Sequence, residues 1–282
     1  MQRFSAIPKP PMRRADAHKG TAGLVFVVAG SRGMAGAAAL VGNAALRAGA
    51  GLVRIATPDA ALDTVAGLAP CCTTTPLPDD GAHLVHEGAP QVLKLAEGWQ
   101  VLAMGPGLGQ TGGVAGVVQA VLSHLAIPIV LDADGLTVLG SHGANVFRAA
   151  RAPIIITPHP GEAARLLDVT TREIQADREA AATRLAARGV VAVLKGHGTV
   201  VTDGQRMYVN TTGNPGMATA GAGDVLTGML AALVASGMPP FEAGVLAVWA
   251  HGRAGDLAAE KQGILGLTAL DILDCVPQAL RL

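Results

Sequence analysis

Short apolar runs alternate with longer alanine-rich stretches along almost the whole chain. The runs at 24–29 (LVFVVA), 51–56 (GLVRIA), 101–104, 129–132, 154–157, 190–194 and 199–202 predict strands. Most are continuous rather than alternating, the pattern of strands buried on both faces of a parallel sheet. The stretches at 35–48, 111–125, 161–167, 172–188, 224–236 and 241–261 predict helices. This strand–helix alternation implies a doubly wound sheet with helices on both faces. Tyr208 and Val209, after an Asp203-Gly204 turn, extend a late hairpin. No fixed-period repeat or long linker breaks the pattern, so one domain is expected over 1–282.

Composition adds a constraint on packing. Half of the 282 residues are hydrophobic, but only 2% are aromatic, and 37 are glycine. Such a core must bring small side chains and backbones close together. Lys+Arg and Asp+Glu balance at 21 each, so no bulk attraction to nucleic acid or membrane is expected. Cys71, Cys72 and Cys275 form neither a disulfide framework nor a zinc site, which suits a reducing compartment. The N-terminal stretch is basic but lacks an apolar signal core, and no apolar run is long enough to span a bilayer. A cytoplasmic location is the expectation.

In open α/β sheets, ligands bind beyond the carboxyl ends of the strands. Those positions are rich in glycine: Gly30-Ser31, Gly105-Pro106-Gly107-Leu108-Gly109, Asp132-Ala133-Asp134, 157–162 (TPHPGE), 195–199 (KGHGT) and Gly221-Ala222-Gly223-Asp224. The last precedes an apolar helix. Small residues there leave backbone N–H groups free to hold an anion, and the helix dipole favours negative charge. Asp224 suits a helix cap on its own, and in this company it suits a base beside a transferred group. Lys195 can neutralise phosphate charge, Gly196 and Gly198 allow close approach, and Thr199 offers a hydroxyl; an isolated loop of this kind is equally a tight turn. The 105–109 loop lacks the spacing of the dinucleotide-binding fingerprint, and there is no Walker A motif. His159 is held between two prolines and suits either ligand recognition or a structural hydrogen bond. Glu162 suits the first turn of a helix. Asp132 and Asp134 suit a metal–phosphate complex and suit turns and caps equally. His18-Lys19-Gly20 could fold over the edge of a site, and His251 reads as packing within its helix.

These motifs in this order resemble one family, the ADP- or ATP-dependent NAD(P)H-hydrate dehydratases of the ribokinase-like superfamily. The resemblance runs through 27–40 (VVAGSRGMAGAAAL), 45–58 (ALRAGAGLVRIATP), 130–136 (VLDADGL), 157–167 (TPHPGEAARLL), 193–204 (VLKGHGTVVTDG), 210–233 (NTTGNPGMATAGAGDVLTGMLAAL) and 250–260 (AHGRAGDLAAE). GNPGMATAGAGDVLTG together with TPHPGE is highly specific; GPGLG and LKGHGT are specific only in that company. The resemblance implies a three-layer α/β/α ribokinase-like fold. It implies that Lys195, Gly196, His197, Gly198, Thr199 and Gly223 bind the adenine nucleotide. Ala37, Gly109 and His159 would line the site of the hydrated dinucleotide, and Asp224 would contact the hydrate as the base. Gly135 and Thr268 stand where related chains are expected to carry alanine.

The implied reaction repairs the S form of hydrated NADH or NADPH. Asp224 deprotonates the ring hydroxyl, the oxygen attacks the terminal phosphoryl of ADP or ATP, and phosphate then leaves under push from the ring nitrogen. Mg²⁺ is the expected cofactor, with ligands not assigned. A separate epimerase is the expected functional partner, and a homotetramer the expected assembly. A ribokinase-like kinase of the hydroxymethylpyrimidine or hydroxyethylthiazole type would use the same GAGD chemistry and keep its phosphorylated product. A non-catalytic nucleotide sensor has little need of Asp224, and a Rossmann oxidoreductase lacks its fingerprint.

Overall fold

The computed structural model describes residues 1–281. Ten strands form one sheet in the order β1-β10-β9-β8-β7-β6-β5-β2-β3-β4. They are β1 (Gln2–Arg3), β2 (Leu24–Val28), β3 (Leu52–Pro58), β4 (Thr73–Leu77) and β5 (Val101–Met104). The remainder are β6 (Ile129–Leu131), β7 (Ile154–Ile156), β8 (Val191–Leu194), β9 (Val200–Thr202) and β10 (Arg206–Val209). From β8 to β4 every neighbouring pair is parallel. Strand β9 runs antiparallel to both β8 and β10, so the late hairpin read from the sequence is present. The seven expected strands are found to within two residues at each end.

The helices are α1 (Ala35–Arg47), α2 (Leu62–Leu68), α3 (Ala89–Leu95), α4 (Gly112–His124), α5 (Asp134–Thr137) and α6 (Gly143–Ala149). They continue with α7 (Pro160–Leu167), α8 (Thr171–Ala176), α9 (Arg178–Ala186), α10 (Ala222–Ala235), α11 (Pro240–Gln262) and α12 (Ala269–Ala279). The single helix expected over 172–188 is two. Asp177 breaks it, because its side chain accepts from the Ala180 N–H and so starts α9 afresh. Thr268, the odd residue of its motif, caps α12 with Asp271 in a reciprocal pair.

The side-chain alternation of β2 divides the core. Val25 and Val27 face one layer with α1, α10 and α11; Phe26 and Val28 face the other with α4, α7 and α9. Small residues make the first layer close-packed. A side chain on Gly228 of α10 would run into the Val41 carbonyl of α1, so the two helices touch through their backbones there.

Strand order sets the site. From β2 the chain winds to β3 and β4 on one side, then returns to β5, β6, β7 and β8 on the other. The switch point lies between β2 and β5, where an open α/β sheet offers a crevice at its carboxyl edge. The loops after those strands are tied together there: the Gly30 N–H donates to the Pro106 carbonyl at 2.8 Å, and the Gly105 N–H to that of Val28 at 3.2 Å.

Candidate active site

Lys195, directly after β8, reaches back across the sheet. Its Nζ lies 2.6 Å from Asp132 Oδ1, directly after β6. The other oxygen, Asp132 Oδ2, accepts from the Thr227 hydroxyl of α10 at 2.7 Å. Asp132 is 1% exposed, so the pair sits where ion pairing is strong and an unpaired partner would be costly. Asp132 thus opens the turn its sequence position suggested, its carbonyl accepting from the Gly135 N–H at 3.0 Å, while its side chain anchors Lys195. Asp134 turns the other way. It accepts from the Gly109 N–H at 2.9 Å and the Gln110 amide at 3.0 Å. Between them Ala133 has φ 49°, ψ −124°, a backbone state nearly reserved for glycine. Such a residue costs roughly 1–3 kcal/mol, and here it is what sends two neighbouring carboxylates to different loops.

Asp224 lies in the first turn of α10, but it is not the cap. The cap is Gly221, at φ 85°, with no side-chain hydrogen bond. The capping role that the sequence left open for Asp224 is thus excluded. Among the described residues the N–H groups of Gly223 and Asp224 find no backbone acceptor. A Cβ on Gly223 would sit 3.2 Å from Lys195 Nζ, so the ammonium comes close to the backbone there. The ammonium therefore lies directly over the open end of α10.

Burial pushes the Asp224 carboxyl up to about 7, and Asp132 adds to this while Lys195 opposes it. Burial outweighs the favourable helix dipole there, and the group is poised near 7. Glu162, 5% exposed, is likewise pushed up to about 7, chiefly by burial. Burial alone would lower the Lys195 ammonium, but Asp132, Glu162 and Asp224 outweigh it and hold it above its ordinary value. Lys195 is therefore a permanent cation beside two carboxyls that titrate near neutrality.

His159 is structural as well as accessible. It caps α7: its Nδ1 accepts from the Gly161 N–H at 2.9 Å, and Glu162 returns a bond to the His159 N–H at 2.7 Å. An accepting Nδ1 fixes the neutral ring with its proton on Nε2, which makes that atom a donor. Burial, followed by the Lys195 charge, lowers the pKa of the ring.

A cavity of about 700 Å³ opens on this edge. His159, Lys195, the whole 196–199 loop and Gly223 line it, so the expected nucleotide residues converge. Ala37 and Gly109 stand apart from it, at the switch point. A Cβ on Gly107 would lie 3.0 Å from Ala37, and Asp134 holds Gly109. Asp224 lies between the two regions, feeling Asp132, Lys195 and Asp134 together.

The far wall was not read from the sequence. Asn210 donates to the Val248 carbonyl, the Thr212 hydroxyl donates to that of Trp249, and Asp256 accepts from the Gly213 N–H and the Asn214 amide. Thr227 was missed too, although a polar residue three positions after Asp224 in an apolar helix marks the same helix face. His251, read as packing, lines the cavity instead. His18-Lys19-Gly20 does not reach the site. It packs against Gly51, which precedes β3, at the opposite edge of the sheet. No three His, Cys, Asp or Glu side chains converge as a metal site among the described residues. The donors present suit an ion carried by a ligand's phosphates, not a cage of protein groups.

Residues 25–278 match the family model described as NAD(P)H-hydrate dehydratase. The chain belongs to this family. An ADP-dependent (S)-NAD(P)H-hydrate dehydratase of Neisseria meningitidis is 40% identical over 92% of this chain and 86% of its own length. A bifunctional NAD(P)H-hydrate repair enzyme of Moorella thermoacetica is 43% identical over 96% of this chain. The chain spans about half the length of that relative and of the other bifunctional enzymes it matches. Among solved structures, an ADP/ATP-dependent NAD(P)H-hydrate dehydratase of Bacillus subtilis, co-crystallised with ATP/Mg²⁺, has a TM-score of 0.81 at 32% identity. That match covers 96% of this chain and 93% of the other. A ribokinase-like superfamily protein of Enterococcus faecalis has a TM-score of 0.82 at 26% identity, covering 96% and 91%. The ribokinase-like architecture expected from the dehydratase motifs is the one found.

Proposed function

We propose that this chain is a lyase that dehydrates the S form of hydrated NADH and NADPH, using ADP and releasing AMP and phosphate. One observation carries the reading. Asp224, free of any capping duty, follows Gly223, which lines the Lys195 cavity, and stands close enough to Asp132, Lys195 and Asp134 to feel their charges. The nucleotide occupies the cavity, with its phosphates between Lys195, the 196–199 loop and the open end of α10. The hydrate occupies the crevice beside Ala37 and Gly109 and extends toward His159, whose Nε2 lies 3.4 Å from Glu162 Oε1.

Asp224 accepts the proton of the ring hydroxyl, and that oxygen forms a bond to the terminal phosphorus as the bond to the bridging oxygen breaks. Lys195 and the N–H groups of Gly223 and Asp224 hold the charge on the transferring group. Phosphate then leaves with the ring carbon's electron pair, pushed out by the ring nitrogen. A ring proton is lost, and the reduced dinucleotide returns. Bound with the nucleotide, Mg²⁺ would offset the charge of its phosphates beside Lys195. ATP serves in the same geometry, yielding ADP.

The test is incubation with hydrated NADH and ADP, following the return of NADH absorbance. A kinase would consume nucleotide and leave the absorbance unchanged. Among the described residues no helix is long and apolar enough to cross a membrane, which agrees with a cytoplasmic enzyme. Ile264, Leu265 and Leu270 are large apolar side chains left exposed on and before α12. Self-association, to a homotetramer in this reading, would cover them; sedimentation equilibrium measures it.

A further inference from the structure

The break between α8 and α9 places a cation behind the phosphate end of the site. Asp177 caps α9 through the Ala180 N–H, which makes Arg178 the first residue of that helix. From there the Arg178 guanidinium reaches the end of β8. Its Nη2 donates to the carbonyl of Leu194 and to that of Lys195, each at 3.0 Å. Its Nη1 donates to Gln175 Oε1 of α8 at 2.9 Å. The same group lies flat against Gly196, where a Cβ would sit 3.0 Å from Nη1. Gly196 has φ 136°, so glycine is required there by conformation as well as by space. Among the described residues no carboxylate pairs with Arg178, and its charge is left to the loop.

Three successive carbonyls of this loop are held by side chains. Arg178 takes those of Leu194 and Lys195, and the Thr199 hydroxyl donates to that of Gly196 at 2.9 Å. The Lys195 N–H is committed to the Pro158 carbonyl at 2.9 Å. Among the described residues the N–H groups of Gly196, His197 and Gly198 find no backbone acceptor, and all three residues line the cavity. A loop with bound carbonyls and free N–H groups offers a phosphate donors alone. Arg178 itself does not line the cavity. We propose that Arg178 is a positioning residue for the nucleotide, acting through the 195–198 loop. The inference rests on the reading that this cavity holds the nucleotide, and it assigns the residue that prepares the loop for phosphate. Donation to the Lys195 carbonyl polarises the peptide that carries the Gly196 N–H and strengthens that donor. The guanidinium charge behind the loop adds to the field of Lys195 in front of it.

Calorimetric titration with ADP, beside turnover of hydrated NADH, tests this. Arg178→Ala should weaken ADP binding roughly 10- to 100-fold. The Michaelis constant for the hydrate, measured at saturating ADP, should be nearly unchanged. Millimolar guanidinium ion, far below denaturing levels, should restore part of the lost ADP affinity by filling the vacated place. Arg178→Lys keeps the charge and loses the fork that holds two carbonyls, so its ADP affinity should lie between those of the parent and the alanine variant. Should the alanine variant fail to fold, the lysine variant carries the test. A folded Arg178→Ala variant with the parent's ADP affinity overturns the inference, and so does an Arg178→Lys variant that binds ADP like the parent. A loss shared equally by ADP and hydrate also overturns it, because Arg178 would then brace the fold as a whole. A parent that binds neither ADP nor ATP overturns the nucleotide site and the role of Arg178 together. A parent that binds ADP without restoring NADH overturns the proposed reaction alone, and the calorimetric comparison still decides Arg178.

Discussion

Two helices begin at this edge of the sheet, and they begin differently. The N-terminus of α7 is closed by its own side chains: His159 accepts from the first turn, and Glu162 returns the bond. The N-terminus of α10 is left open. Gly221 supplies no side chain, Asp224 caps nothing, and an ammonium lies over the unpaired N–H groups. A closed end contributes stability; an open end in a buried setting forgoes it and gains affinity for an anion. The contrast separates the structural role of His159 from the chemical role of Asp224, although both side chains face the same site.

The largest break in this comparison is Asp224→Asn. It leaves the helix start untouched, since Asp224 is not the cap, and it removes the proton acceptor. Turnover should fall by roughly 10²–10⁴, while calorimetry shows ADP affinity unchanged or improved. Near-normal turnover would return the base role to another group. Lys195→Ala comes next. It should raise the Michaelis constant for nucleotide more than for hydrate, by a contact of about 1.5–3 kcal/mol. It also leaves Asp132 buried without its partner, so chemical denaturation should show a loss of about 3–5 kcal/mol. Lys195→Met combined with Asp132→Asn should recover stability without recovering affinity; recovery of both would mean that Lys195 only braces the fold.

The raised carboxyls give a smaller, pH-dependent effect. Between about 5 and 7 the folded chain keeps protons on Asp224 and Glu162 that the unfolded chain has released. Their contribution to stability should therefore fall as pH rises through that window and level off above it, while His159 and His251, whose lowered pKa values act in the opposite sense, contribute stability that rises with pH up to their ordinary value. Asp80, Glu173, Asp203 and Asp271 have lowered values and titrate below it. Asp224→Asn should melt higher than the parent at pH 8 and nearly with it at pH 4. An Asp224→Asn variant that melts with the parent at pH 8 as well as at pH 4 would show that this carboxyl is less buried than described. His159 gives the smallest effect. His159→Ala should lose the cap, about 1 kcal/mol, whereas His159→Ser keeps a cap and loses only the Nε2 donor. Both should weaken hydrate binding equally, and only alanine should lower the melting temperature.

The buried strands were legible in sequence because each is a continuous apolar run between glycine-rich turns. Strand β4, TTTPL, was not, because an edge strand need not be apolar and its Pro76 lowers the β signal. The same loops marked the phosphate end of the site. What could not be read was which carboxylate meets which cation: Asp132 joins Lys195 across 63 positions and Thr227 across 95. Asp132 looked like a turn residue because its partners are brought only by the sheet order. His251 looked like packing for the same reason. Its neighbours Ala222 and Leu226 come from another helix, and helical periodicity within α11 cannot show a cavity on that side.

The central claim is that the hydroxyl oxygen of the hydrate attacks the phosphoryl group, with Asp224 as base. Hydrated NADH carrying ¹⁸O in that hydroxyl tests it directly, by mass spectrometry of the phosphate released with ADP in ordinary water. The account predicts that the label is recovered in inorganic phosphate, one atom for each NADH formed. Label found in water, with phosphate carrying only solvent oxygen, would contradict it, because the hydroxyl would then have left without ever being phosphorylated.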